Sequence, residues 1–526
     1  MTDAVVIGSG PNGLVAANLL ADEGWSVVVC EAQPVIGGAV RSDDEVHPGF
    51  RHDTFSAFYP LAAVSPTIQR MQLQEHGLRW VHAPAVLGNP MPDGGWAILH
   101  RDRADTAAGL DARCAGDGDA WLRLCKQWDV FGDDLIGALL TPFPPVRHGL
   151  RLAVSLPRAS GLGGFRMLLT SVRRMAEENF RGEGARLLLA GNALHADFPP
   201  EGAGSGVFGL ILAMLGQTVG FPVPQGGAGE LTQALARRLE SLGGSVQTGS
   251  EVASVVVRGG RAVAVRLTDG TEIQAARAVV ADVSAPALYG GLVSLDLLPA
   301  RVRRGVEKFE WDPSTIKVDW ALSAPVPWRD QPSAQPGTVH IAHSVDELTT
   351  FAAQIGGHTV PSDPLLLVGQ MTTTDPTRSP AGTESMWAYC HAPQVVRADA
   401  GNEGITGAWD HDDLQKMADR MQARIEFFAP GFGDRVLSRR VLGPHEFMAR
   451  NANLHGGAIN GGTAALHQEL IFRPVPGLGR AETPIAGLFL GSASAHPGGG
   501  VHGAAGANAA KAAIAHDRVR RWTRRS

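Results

Sequence analysis

The stretch DAVVIGSGPNGLVAANLLADEGWSVVVCEA, residues 3–32, constrains the fold more than any other part of the chain. Ala4–Ile7 is a continuous apolar run, the pattern of a strand buried on both faces. Gly8, Gly10 and Gly13 follow in G-x-G-x-x-G spacing, with Pro11 and Asn12 between them, and Leu14–Ala21 reads as a helix. A second apolar strand, Val27–Cys30, runs into Glu31 and Ala32, which places the acid 18 residues after Gly13. Gly8 permits a tight turn, Gly10 lets a pyrophosphate approach the backbone, and Gly13 lets helix and strand pack closely. The helix N-terminus turns its partial positive charge towards the phosphates, and Glu31 can accept hydrogen bonds from a ribose diol. A glycine motif alone is weak; set between two strands with an acid at this distance, it marks a dinucleotide site.

The continuation AQPVIGGAVRS adds a second glycine pair, Gly37-Gly38, with Arg41 and Ser42 just beyond. Here the chain resembles the amine-oxidase and phytoene-desaturase superfamily of flavoproteins. The resemblance implies FAD as cofactor, Gly37-Gly38 against its diphosphate and Arg41 as a phosphate partner, a role suited to its planar fork of donors. His52 and Asp53, in FRHDTFSAF, fall where these proteins lead towards the flavin ring.

The remaining totals exclude several classes. With 44% hydrophobic and 19% charged residues and a formal net charge of −6, the chain is an ordinary globular protein with no signature of a nucleic-acid partner. Cys30, Cys114, Cys125 and Cys390 lie far apart, so neither a C-x-x-C redox pair nor a zinc site is expected. An N-terminus without a basic n-region, and no run of about 20 apolar residues, predict a cytoplasmic protein with peripheral membrane contact left open. Two stretches invite that contact: GVFGLILAMLGQTVGF, which also reads as a buried helix, and the basic tail RVRRWTRRS.

A second block starts near residue 225. Glu230–Leu242 reads as a helix, Val252–Val257 and Ala262–Leu267 as alternating strands, and Ala278–Ala281 as a buried strand. This order resembles the superfamily's second FAD-contacting segment, where the residue matching Val252 holds adenine through its backbone. The C-terminal LHGGAINGG and FRPVPGLGRAETPIAGLFLGSASAHPGGGVHGAAGANAA are similar to the branch containing phytoene desaturases and desaturase-type carotene ketolases. The resemblance implies a strand at Leu488–Leu490 and a turn through Gly491 and Ser492 around the ribityl chain. It also implies Gly500 and Val501 near the ring, and a helix from Gly503 whose N-terminus stabilises reduced flavin.

The expected architecture is α/β: a discontinuous Rossmann-like FAD-binding domain (residues 1–70, 216–290 and 441–526) with an inserted α+β substrate domain (71–215 and 291–440). Lys317, His496 and His502 are the candidate catalytic residues. Lys317 resembles the amine-oxidase lysine that reaches flavin through water; it equally suits a strand lysine paired with Asp319 or facing solvent. His496 and His502 suit acid–base work or the pinning of a glycine-rich loop. The expected function is an FAD-dependent oxidoreductase acting on an apolar, isoprenoid or carotenoid-like substrate by hydride transfer, with oxygen or a quinone as acceptor. A small-amine oxidase is the alternative, although three tyrosines, Tyr59, Tyr289 and Tyr389, offer little for an amine cage. A flavoprotein that binds lipid or a partner protein without catalysis is the other.

Overall fold

Short all-apolar strands bury both faces only if helices or a second sheet cover each side. The computed structural model describes residues 2–525. In it, β1 (Ala4–Ile7) pairs in parallel with β2 (Val27–Cys30) on one side and β3 (Ala278–Ala281) on the other. Ser245–Gln247 extends the sheet beyond β2, and Leu488–Leu490 extends it beyond β3, giving five parallel strands.

Alternation along β1 assigns the two faces. Val5 and Ile7 point into a core closed by a three-stranded antiparallel sheet of Val252–Arg258, Arg261–Leu267 and Glu272–Gln274. Ala4 and Val6 pack with Ala16 and Leu20 of α1 (Pro11–Asp22) and with Ala509 and Ala513 near the C-terminus. The expected helix at Glu230–Leu242 forms over Gly229–Ser241.

The second sheet has seven strands and is mostly antiparallel. Its centre pairs β4 (Ser314–Leu322) with β6 (Glu384–Ala392), while β5 (Pro336–Ile341) lies further along, next to Leu366–Gln370. One face is apolar: Ile316, Val318, Trp320, Met386, Ala388 and Val339 pack on Met417, Met421 and Ile425 of the helix His411–Phe428. The period of two sends Lys317, Asp319, Tyr389, His391 and His340 to the opposite face. A helical layer stands against that face. It includes α2 (Val146–Ser160), α3 (Glu183–His195) and α4 (Ser205–Thr218).

The apolar run at 206–221 is resolved by this layer: α4 is buried in the helical core. Among the described residues, no helix is long and apolar enough to cross a membrane. The chain's last long helix, α5 (Ala504–Arg525), packs on α1, with the Asn12 carbonyl where a side chain on Gly506 would have to go. Most of the basic tail continues α5; its final residue, Ser526, lies outside the described residues.

Candidate active site

The nucleotide end is built from backbone. Gly8, at φ +95°, turns the chain out of β1 and donates its N–H to the Cys30 carbonyl at 2.8 Å. Gly10 caps α1 with no side-chain partner, and Pro11 takes the first turn, where its missing N–H costs nothing. A Cβ on Gly10 would lie 2.7 Å from Asp282 Oδ2, and one on Gly38 would lie 3.0 Å from Gly10 Cα. The two glycine pairs therefore touch, and neither position tolerates a side chain. Ser9 fixes the acid: Glu31 Oε2 accepts from the Ser9 N–H at 2.8 Å and its hydroxyl at 2.6 Å. Gly37 donates to the Ser9 carbonyl, tying the second loop to the first.

Asp282, missed in the sequence, completes this end. It directly follows β3, and its Oδ2 accepts the Gly13 N–H at 2.8 Å. Burial pushes its carboxyl up to about 7, with the Gly13 bond pulling the other way and nearby Glu31 adding to the rise. An acid at the end of a fully buried strand was the available signal. Asn12 adds a buried Oδ1 without a partner among the described residues. Arg41 donates to the Arg450 carbonyl at 3.0 Å and lies over the Phe55 ring, leaving other guanidinium donors for an anion. Ala32 is exposed beside Glu31, and Val252 is buried at the start of the antiparallel sheet.

At the other end, Gly491 leaves the strand Leu488–Leu490, here β7, and donates to the Ala281 carbonyl at 2.9 Å. Ser492 Oγ accepts the Ser494 N–H in the turn that follows. Gly500, at φ +99°, is exposed, Val501 is half-buried, and a Cβ on Gly500 would meet Leu61 at 2.8 Å. A glycine turn facing α1 at one end and a glycine-rich loop open at Gly500 at the other fit FAD. Gly8–Gly13, Glu31, Gly37-Gly38 and Arg41 would hold the diphosphate half, and Gly491–Val501 the flavin half.

The three candidate catalytic side chains have structural partners. Lys317 is buried; its ammonium is ion-paired with Asp319 and donates to the Asp53 carbonyl at 2.9 Å. It does not point at solvent. Asp319 is also held by Arg440 at 2.8 Å. His502 Nδ1 accepts the Ala504 N–H at 2.9 Å, capping α5, and burial pushes its pKa down to about 4. That neutral, engaged ring is suited to pinning the helix rather than to moving protons. His496 Nε2 lies 3.0 Å from the Thr141 carbonyl, anchoring the loop before Pro497.

Asp53 sits in a further buried ion pair that sequence reasoning did not find. Its Oδ2 lies 2.6 Å from Arg378 Nη2 with both side chains fully buried, and its Oδ1 accepts the Ala228 N–H. Arg473, also fully buried, bonds the carbonyls of Asn460, Thr463 and Ala493, joining the LHGGAINGG loop to the flavin-end turn.

A parallel sheet, a glycine turn at a helix N-terminus and a buried acid after the next strand define a dinucleotide-binding protein of Rossmann type. Residues 6–71 match the NAD(P)-binding Rossmann-like domain, and residues 162–385 match the flavin-containing amine oxidoreductases. The chain is 30% identical to pyridine nucleotide-disulfide oxidoreductase domain-containing protein 2 of Mus musculus, over 97% of this chain and 92% of that one. It is 23% identical to a neurosporene-forming phytoene desaturase of Cereibacter sphaeroides, over 98% and 95% of the two chains. Among solved structures, a putrescine oxidase variant shares the fold with a TM-score of 0.60 at 16% identity, covering 98% and 99%. The chain belongs to the flavin-containing amine oxidoreductase family, its relatives at 23–26% identity include phytoene desaturases, and its cofactor is FAD.

Proposed function

We propose that this protein oxidises or desaturates an apolar, isoprenoid-like molecule. The observation that carries the reading is the wall beside the flavin-end loop. From Gly500 it runs through Leu61 to Phe58, whose ring lies 6.1 Å from Trp387, and on to Tyr389, stacked on Trp387 at 6.0 Å. Apolar and aromatic side chains bind an extended hydrocarbon by area, without charge. The tyrosines point the same way. Tyr59 and Tyr289 are sealed in the core, so Tyr389 alone among the three keeps accessible surface, and a two-tyrosine amine cage has no second member.

FAD, when bound, supplies the acceptor for a hydride from a substrate C–H. The chain's own residues bind and orient. The glycine cradle fixes the dinucleotide, the Gly498–Val501 loop leaves the ring end open, and the Leu61–Phe58–Trp387 wall holds the substrate and keeps water away. Helix α2 offers an entry side: Val146, Leu150 and Val154 form an exposed apolar stripe flanked by Arg147 and Arg151, which suits contact with a membrane holding the substrate. The electron acceptor in this reading is oxygen or a quinone.

The test is anaerobic bleaching of the flavin by a panel of carotenoids, smaller isoprenoids, fatty-chain alcohols and amines, with the lipids presented in phospholipid vesicles. Isoprenoids are expected to bleach the yellow absorbance, and Leu150→Glu to slow bleaching by the vesicle-borne ones. Bleaching by amines alone would overturn the reading.

A further inference from the structure

A cluster of histidines and one tyrosine lies on the inner face of the seven-stranded sheet, at the far end of the wall just described. His195 closes α3, and its Nδ1 lies 3.2 Å from Nε2 of His340 on β5. The Tyr389 ring on β6 stands 6.3 Å from His195 and 5.5 Å from His391. His391 Nε2 lies 3.0 Å from Asp197 Oδ1, both side chains about 5% exposed. Asp197 adopts φ +62°, a left-handed conformation, and its other oxygen accepts from Asn460 at 2.6 Å. Asn460 in turn abuts the flavin-end loop, since a Cβ on Gly499 would come 2.5 Å from its Oδ1. The cluster is thus connected to the flavin-end loop through one side chain.

Two groups of the cluster are unspent. The Tyr389 hydroxyl and His195 Nε2 have no hydrogen-bond partner among the described residues, yet both side chains keep accessible surface. Tyr389 is half-buried, flanked across the sheet by Lys317 and Leu367, both buried. The histidine pair settles which way His195 is protonated. His340 Nδ1 is buried against Gly191 with no partner, and an unpaired N–H there costs more than a bare acceptor. Its proton therefore sits on Nε2 and is donated to His195 Nδ1, leaving His195 Nε2 carrying a proton that points away from the pair. Burial also pushes His195 down to about 4, so the ring is neutral. His391 is raised above the usual histidine range by Asp197, against the cost of burial, and stays paired with it.

We infer that Tyr389 and His195 form a two-donor site for a neutral oxygen, a carbonyl or hydroxyl carried by an otherwise apolar substrate. Two neutral donors match an acceptor oxygen. An ammonium, which has only donors, would find an acceptor in the Tyr389 hydroxyl but would face the His195 N–H with nothing to give it. The pair also lacks the cation that a carboxylate prefers. The His391–Asp197 pair and Asn460 are positioning residues that hold this cluster against the flavin-end loop. The inference rests on the apolar-substrate reading and names the polar handle on that substrate.

The test compares limonene with carvone, the same skeleton carrying a ketone, by equilibrium dialysis against the purified yellow protein, with putrescine as a third probe. The ketone is expected to bind about tenfold more tightly than the hydrocarbon, the worth of one to two net hydrogen bonds. Tyr389→Phe removes only the hydroxyl and should erase most of that preference, read as the ratio of carvone to limonene affinity within the variant itself. His195→Phe serves as the second variant, and thermal melts confirm that both fold. Equal binding of limonene and carvone, or a preference that survives both variants, overturns the two-donor site while leaving the apolar reading intact. Binding of putrescine with neither terpenoid overturns both.

Discussion

The two ends of the site are made of different material. The nucleotide end is main chain: at Gly8, Gly10, Gly13 and Gly38 a Cβ would meet neighbouring atoms at 3.0 Å or less. On the sheet face, charge is held by side chains buried in pairs and networks: Lys317 with Asp319 and Arg440, Asp53 with Arg378, His391 with Asp197. A backbone site is damaged by adding atoms, whereas a network of buried charges is damaged by removing one. Buried ion pairs are also poor sources of net stability, yet costly to break, because the remaining partner is left unpaired out of water.

That contrast sets the order of expected effects. Gly10→Val should be the most severe for the cofactor, since its side chain must displace Asp282 or the diphosphate. The purified variant is expected to be colourless, and full flavin absorbance would break the backbone half of the comparison. Lys317→Met should come next, lowering unfolding free energy in urea by about 3 kcal/mol. This is the low end for a broken buried pair, because Arg440 still bonds Asp319. Flavin reduction and reoxidation should be affected alike; a selective loss of reoxidation would move Lys317 from the structural network to oxygen chemistry.

Asp282→Asn should have the smallest effect and a pH signature. Burial above all, with Glu31 adding to it and the Gly13 bond opposing, pushes the folded carboxyl up to about 7, against about 3.9 in an unfolded chain. The folded state therefore binds the proton more tightly, and stability falls as pH rises from about 4 to about 7, then levels. The variant should be more stable than the parent at pH 8, with the gain shrinking towards pH 4. A gain that does not change with pH would mean Asp282 is already ionised throughout.

The same contrast explains what could be read from the chain beforehand. The strands at Ala4–Ile7, Ala278–Ala281 and Leu488–Leu490, and the glycine turn after the first, are local patterns, and they stand where the sequence places them. The histidine–tyrosine cluster draws on α3, β5 and β6, so no spacing announces it. Only the alternation of Trp387, Tyr389 and His391 against Met386, Ala388 and Cys390 hints that one face of β6 is special. Lys317 was visible as an unusual strand lysine with Asp319 two residues on as a partner, but Asp53 and Arg440 had to be folded around that pair. His496 and His502 stood out for their chemistry, and each bonds backbone in the fold: a loop carbonyl and the N–H of Ala504.

The contact between Gly506 and the Asn12 carbonyl has a consequence for how the molecule is made. The first strand, turn and helix leave the ribosome early, with the nucleotide cradle half formed. β7 and α5, which complete the parallel sheet and pack on α1, are synthesised last. Closing that gap pairs residues near opposite ends of the chain, the kind of long-range contact that makes folding slow and leaves intermediates exposed. Until it closes, the N-terminal segment has strand edges and an apolar helix face uncovered, and a dinucleotide bound early would have only one end of its site to hold it.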